Sequence, residues 1–425
     1  MHIGKRLRYI RVKNNLSQEK LARGIISISH LSNLESGRYS ASEETIRFLA
    51  KKLKVKESYL LDCFTPDKNL EDQLSKLFIT ILTDVSNTPK ILEPIREPIN
   101  CIYQEWTYYY LTCSYYYKVN ELDKAKDLEE KTLTYFISES DDIAEYPQIL
   151  KQAYYYYKGI SAYRHNHLET SYYSFNMLLE SVRHSTNICA DMHFNLALIS
   201  YQLADYFKAK KNADEAIKLY VNNGDLENLA IVHNLLGTIY CETFMYNESL
   251  QELEKAMNYS KILRLNSHEA RVFHNKGLVY KGMDNLSEAL KQFMKSYKIK
   301  VKIKSESILV TLIEIIKCHI GLKQYSEAKQ LAKTSSQYLK IERDYHLLTS
   351  LKGSIDLYEG NEVGFIKKKT EALNYFIDKN HIKNAKGIAK ELGDYYFNTN
   401  KYKNAAIYYR MELEHFSDKK GGEVH

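Results

Sequence analysis

Proline is scarce in this 425-residue chain, with five copies, and Pro66, Pro89, Pro94 and Pro98 crowd into one window. Glycine is also low, at 16. A turn-rich β protein or a long disordered linker needs more of both, so those classes are excluded. The six cysteines (Cys63, Cys101, Cys113, Cys189, Cys241 and Cys318) are scattered, with no Cys-x-x-Cys pair. They read as reduced thiols, not as a disulfide frame or a zinc site. No apolar run reaches the roughly 18 residues of a membrane span, and Met1–Leu16 lacks a signal core. A soluble cytoplasmic chain without a membrane partner is expected. Gly-rich phosphate loops, His-Glu-x-x-His and Gly-x-Ser-x-Gly are absent. His165 and His167 are too poorly spaced for a metal pair, so no enzyme activity, cofactor or metal site is expected. The run Lys367–Lys369 reads as a solvated turn.

What is present is charge in one place. Residues 1–66 hold 13 Lys+Arg against 6 Asp+Glu, whereas residues 67–425 hold 47 of each. The whole net charge of +7 therefore sits in a short head on a neutral body. A basic head suits a polyanion, and a neutral body suits a different partner. The proline window places the domain boundary near Pro66. A helix at about 69–83 and an interrupted connection at about 86–99 make residues 67–99 a linker. Residues 100–425 form the body.

The body repeats itself. Leu or Tyr followed three positions later by a small residue recurs at Leu122/Ala125, Leu168/Ser171, Tyr206/Ala209, Tyr246/Ser249, Leu286/Ala289, Tyr325/Ala328 and Tyr402/Ala405. The small residues are 46, 38, 40, 40, 39 and 77 positions apart, the last step spanning a degenerate unit around Gly353–Phe365. A further small residue lies twelve positions earlier, as at Gly159, Ala197, Gly237, Gly277 and Gly393. This is the register of helical hairpins that bury a face only against their neighbours. It resembles tetratricopeptide (TPR) repeats with lengthened helices. Most of the 37 tyrosines, including Tyr108–Tyr110 and Tyr154–Tyr157, are expected to pack between repeats.

The head reads as five short helices. Ser17, Ser27 and Ser42 are placed to cap three of them, and Gly24 and Gly37 to end turns. The strings Leu16-Ser17-Gln18-Glu19-Lys20-Leu21-Ala22 and Leu31-Ser32-Asn33-Leu34-Glu35-Ser36-Gly37 resemble the XRE-type helix-turn-helix of phage repressors. Two departures are a turn, Gly24-Ile25-Ile26, one residue short, and Ala41 where proline is common. In such a domain the second helix presents its N-terminal side chains to base edges. Ile28, Ser29, His30, Ser32 and Asn33 hold those positions, with Asn33 suited to adenine and Ile28 to a thymine methyl. Arg11, Gln18 and Arg38, with the helix-capping Ser17 and Ser27, are the expected phosphate contacts. Glu35 is expected to pair inside the domain.

On the body, the first helix of each hairpin offers a recurring slot two positions before the small residue. It holds Tyr157, Asn195, Asn275, Glu314 and Glu391, with Asn234 one position out of register. Asparagine can exchange a pair of hydrogen bonds with a peptide backbone. Alternatively, it satisfies the hairpin's own groups. Arg271, one turn before Asn275, suits a ligand carboxylate.

A short-turn helix-turn-helix followed by degenerate TPR hairpins resembles the RNPP family (Rap, Rgg, NprR, PlcR, PrgX), and the layout is nearest the NprR branch. The resemblance implies an all-α protein with a right-handed solenoid. It implies a cytoplasmic quorum-sensing regulator whose TPR face binds a short linear signalling peptide. It also implies dimerisation through the TPR domain, with a homodimer or higher oligomer reading double-stranded DNA at an inverted-repeat operator. The alternative is a Rap-like interaction module that binds a response regulator of a sporulation relay.

Overall fold

The computed structural model describes residues 3–61, 64–95, 99–135, 146–182 and 186–413. Cys63 and Pro98 lie outside them. Every regular element among the described residues is helical, and the chain divides into two compact units, Met1–Asp225 and Leu226–His425.

The first unit opens with α1 (Ile3–Lys13), α2 (Gln18–Ala22), α3 (Ile28–Glu35), α4 (Glu43–Leu53) and α5 (Ser58–Leu61). The expected caps form. Ser17, Ser27 and Ser42 accept from the backbone N–H of Lys20, His30 and Thr45. Gly24 and Gly37 take φ of +80° and +77°, a conformation open to glycine without steric cost. Leu7, Leu21, Leu31, Leu34 and Leu49 are fully buried, so one apolar face of each helix closes the head. Gly4 lets α1 lie directly on α3, because a Cβ there would sit 1.8 Å from the Leu34 carbonyl oxygen.

Next come α6 (Lys68–Thr83) and α7 (Thr88–Leu92), then α8 (Ile102–Lys118), α9 (Leu122–Lys131), α10 (Gln148–Arg164), α11 (Leu168–Ser181), α12 (Thr186–Gln202) and α13 (Tyr206–Asn223). The hydrophobic core does not stop at Pro66. It runs from Leu7 through Leu74 and Trp106 to Ile199. The reason is an ion pair that sequence separation hides. Arg6 on α1 is fully buried, with its Nε donating to Glu105 at 3.0 Å. Its other nitrogens donate to the carbonyls of Tyr59, Ile99 and Asn100, and its guanidinium lies over the Tyr59 ring.

The second unit is built from hairpins. These are α14 (Leu226–Glu242) with α15 (Tyr246–Ile262), α16 (Asn266–Gly282) with α17 (Leu286–Lys302), and α18 (Ile308–Gly321) with α19 (Tyr325–Ser335). Then follow α20 (Glu342–Tyr358) with α21 (Glu362–Asp378) and α22 (Ile382–Asn398) with α23 (Tyr402–Leu413). The small residue after each turn is buried throughout, from Ala125 to Ala405. Where it is serine, its hydroxyl also donates to the carbonyl twelve residues back, as Ser171 does to Gly159 and Ser249 to Gly237. Gly277 marks where the next large side chain docks, since a Cβ there would lie 2.6 Å from the Phe293 ring. The residue that turns each hairpin is one of Asn120, Asn166, Asp284 and Asn400 in several repeats, all at positive φ. Their short polar side chains tolerate the left-handed conformation.

Lys367–Lys369 is not a solvated turn. It lies inside α21, where Lys369 is fully buried against Glu391 and Ser350.

Candidate functional sites

In the head, two short helices meet across Gly24-Ile25-Ile26, and the buried Leu31 and Leu34 orient α3. The opposite side of α3 carries Ile28, Ser29, Ser32 and Asn33, all exposed, with Ile28 half accessible. They are one helical face, which can enter a groove without displacing any core residue. His30 does not join them. Its ring stands edge-on to Tyr39 at 4.2 Å and is half-buried, bracing the loop that holds the exposed Arg38.

Glu35 organises the inner side, as expected. Its carboxylate accepts from Arg11 Nε at 2.6 Å, Arg11 Nη2 at 2.8 Å and Gln18 Nε2 at 2.8 Å. This changes the phosphate contacts. Arg11 and Gln18 face Glu35, and a phosphate would have to draw them away from a charge-assisted pair. Arg38, Lys20 and Arg23 remain exposed. Ser17 and Ser27 use their oxygens as caps, which leaves their hydroxyl protons for an anion at the helix N-terminus.

On the first unit's repeats, Tyr157 donates to Glu129 at 2.7 Å, alongside Tyr117 at 2.8 Å and Ser161 at 3.2 Å. Burial, and then the Glu129 charge, push the Tyr157 phenol far up, so it stays protonated and fixed. Asn195 on α12 is half-buried and makes no side-chain hydrogen bond among the described residues.

On the second unit, the register offset of Asn234 is resolved by contact. Asn275 Nδ2 donates to Asn234 Oδ1 at 2.9 Å and to Thr238 Oγ1 at 3.2 Å, and Thr238 donates in turn to the Asn234 carbonyl at 2.9 Å. Both Nδ2 hydrogens of Asn275 are thereby engaged. One acceptor, Asn275 Oδ1, and one donor group, Asn234 Nδ2, stay open among the described residues. A peptide unit offers the complementary N–H and C=O. Thr238 was not singled out from sequence, although its position one turn after Asn234 would have found it.

Glu314 is shared by Lys281 and by Lys317 at 2.7 Å. Burial would raise its carboxyl, yet the two lysines hold it below the usual range. Glu391 is half exposed and pairs with buried Lys369 at 2.5 Å and Ser354 at 3.1 Å. The slot is thus not uniform, because its glutamates are already neutralised while its asparagines are open. Arg271 is exposed, with no hydrogen bond or ion pair among the described residues. Across the described residues no cluster of three His, Cys, Asp or Glu side chains could hold a metal ion, and no helix is long and apolar enough to cross a membrane.

Comparison with known proteins adds to this geometry. Residues 7–60 match a helix-turn-helix family, and residues 228–302 a tetratricopeptide repeat family. The chain is 24% identical over 414 residues to the transcriptional activator NprA of Geobacillus stearothermophilus, covering 93% of this chain and 98% of that one. Its fold is similar to the apo quorum sensor NprR from B. thuringiensis, with a TM-score of 0.67 at 16% identity over 82% of this chain and 99% of that one. NprR in complex with its cognate peptide NprX gives a TM-score of 0.61 at 16% identity and the same coverage. A Rap protein complexed with Competence and Sporulation Factor gives 0.64 at 14% identity, over 84% of this chain and 99% of that one.

Proposed function

In architecture, with its helix-turn-helix head and TPR-like body, the chain belongs to the RNPP family of quorum-sensing regulators, and from that premise we propose that it is a peptide-controlled transcription regulator. The head docks α3 in the major groove, and Ile28, Ser29, Ser32 and Asn33 read base edges. Arg38, Lys20 and Arg23, with the two helix N-termini, hold phosphates. A short linear peptide lies along the first-helix face and exchanges backbone hydrogen bonds with the Asn234–Asn275 pair. The protein acts as a homodimer, so its operator is an inverted repeat. The observation that carries this reading is the open acceptor and donor that the asparagine pair presents, in the same chain as a solvent-facing recognition helix. Similarity to a peptide-bound quorum sensor supports it.

The test selects random duplex DNA on the purified full chain, with and without extracts containing secreted peptides. Enrichment of an inverted repeat is expected. Asn33→Ala should weaken binding by about 1–3 kcal/mol and relax one base position. Asn275→Ala should leave DNA binding intact and remove the response to extract. No duplex binding at low salt under either condition would defeat the proposal.

Similarity to a Rap protein favours a second role, capture of a response regulator. Residues 67–425 alone are a poor test of it, because Glu105 would be left buried without Arg6. A head-silent full chain, Asn33→Glu, should still capture the regulator in a pull-down if that role is real.

A further inference from the structure

We propose that the ligand on the first-helix face carries a carboxylate, and that Arg271 and Lys300 receive it beside Asn275. This rests on the reading that a peptide binds that face, and it narrows the class of peptide to acidic ones.

Several lysines of this unit already have a carboxylate partner. Lys276 pairs with Glu254, Lys281 and Lys317 share Glu314, Lys368 pairs with Asp356, and Lys369 with Glu391. Each has a carboxylate. Arg271 and Lys300 have none among the described residues. Arg271 stands exposed on α16, one turn before Asn275. Lys300 comes from α17 and is 6% exposed. Its ammonium donates only to uncharged oxygens, the Thr311 hydroxyl at 2.8 Å and the Ser307 carbonyl at 3.2 Å.

A buried ammonium is normally matched by a counter-charge, since neutral oxygens replace only part of its lost hydration. The dipole of its own helix does not supply the match. Lys300 sits in the last turn of α17, but its ammonium reaches to the start of α18 and not to the α17 carbonyls. The neighbours do not supply it either. Thr311 Oγ1 lies between Lys300 and His274 Nδ1, at 3.1 Å from the latter. The hydroxyl accepts from the ammonium and shares a hydrogen bond with the imidazole. Burial, and then the Lys300 charge, hold His274 down at about 4, so it is neutral. Glu314 is already divided between two lysines. Burial, and then the Arg271 charge, lower the Lys300 ammonium to about 8, so the two cations feel one another. The chain from Lys300 through Thr311 ends at His274, one residue before Asn275 and three after Arg271 on α16, so both positive charges border the helix that carries the asparagine. A carboxylate completes both, from an Asp or Glu side chain or from the peptide's C-terminus.

Three synthetic hexapeptide pools test this on the full-length protein. One contains Asp and Glu and ends in a carboxamide. The second replaces them by Asn and Gln, also as carboxamides. The third is the second with free C-terminal carboxylates. Retained peptides are identified by mass spectrometry, and their affinities are measured by calorimetry. The first or third pool should be retained over the second, and which of the two identifies the source of the carboxylate. Arg271→Gln or Lys300→Met should weaken the preferred peptides by about 30-fold or more, while any amide peptide is unaffected. Methionine keeps the buried volume without the charge, so the variant folds. Affinity for the preferred pool should hold below about pH 8 and fall above it as Lys300 deprotonates. Of the other groups facing it, His274 is already neutral and Glu314 is held ionised by Lys281 and Lys317, and Arg271 is the remaining charged neighbour. Equal retention of the amide pool, or insensitivity to both variants, would overturn the carboxylate assignment while leaving the groove reading standing, provided Asn275→Ala abolishes retention. If no pool is retained, or if Asn275→Ala changes nothing, the groove reading falls and takes this inference with it.

Discussion

At the scale of single residues, the side chains that bear on function are set by which partner each has already found. Arg11 and Gln18 look like phosphate anchors in the sequence and are turned inward by Glu35. Asn275 and Asn234 look mismatched in register and nonetheless meet. Glu314 looks like a ligand contact and is held between Lys281 and Lys317. That clamp has a pH signature. The folded Glu314 carboxyl titrates below its ordinary 4.5, so its contribution to stability is complete above that value. It is lost as the pH falls through the lower folded pKa. Urea midpoints of wild type and Glu314→Gln should therefore differ most near neutral pH and converge on acidification. A gap that widens in acid would show that the clamp does not stabilise the fold.

At the scale of elements, the hairpin register was legible because it is a steric rule repeated along the chain. A small residue after the turn and another twelve before it are the only way two helices can approach closely enough for a ring to dock at the crossing. Gly277 is the sharpest instance, with no room for a Cβ beside Phe293. Gly277→Ala should cost about 1–3 kcal/mol in chemical denaturation. A second change, Phe293→Leu, should return part of that loss by making room. If the double variant is no better than the single one, the clash is not with the ring. The Lys367–Lys369 run misled for a related reason. Charge argues for solvent, but a lysine one helix away from Glu391 can be buried when the pair is completed in space.

For the whole molecule, the charge asymmetry separates head from body in composition, whereas the packing joins the head to the first repeats. Arg6 is the joint. It is completely enclosed, with Glu105, Tyr59 and two carbonyls of the chain entering α8 around it. The Tyr59 hydroxyl donates to the same carboxylate at 2.5 Å, and burial, then the Glu105 charge, push that phenol up. Glu105→Gln leaves the guanidinium buried without its counter-charge and should cost about 3–5 kcal/mol in urea denaturation. The apolar pair Arg6→Met with Glu105→Leu should restore most of it. An unchanged midpoint for Glu105→Gln would mean that the joint carries no load. The joint ties α1 to α8, and α3 rests on α1 at Gly4, so under the proposed function operator spacing should depend on the body and not on a loose tether.

The sequence by itself determined the helical class, the hairpin period, the three serine caps and the exposed face of α3. All of these follow from local rules: periodicity, capping and turn chemistry act over a few residues and leave a pattern in the string. It also marked the asparagines as candidates. Tertiary structure alone decided which candidates are open and which are occupied. The Arg6–Glu105 pair spans 99 positions and the Asn275–Asn234 contact 41, and the buried Lys300 ammonium meets only uncharged oxygens among the described residues. Electrostatic partners are chosen by distance in space, and no spacing along the chain encodes that distance.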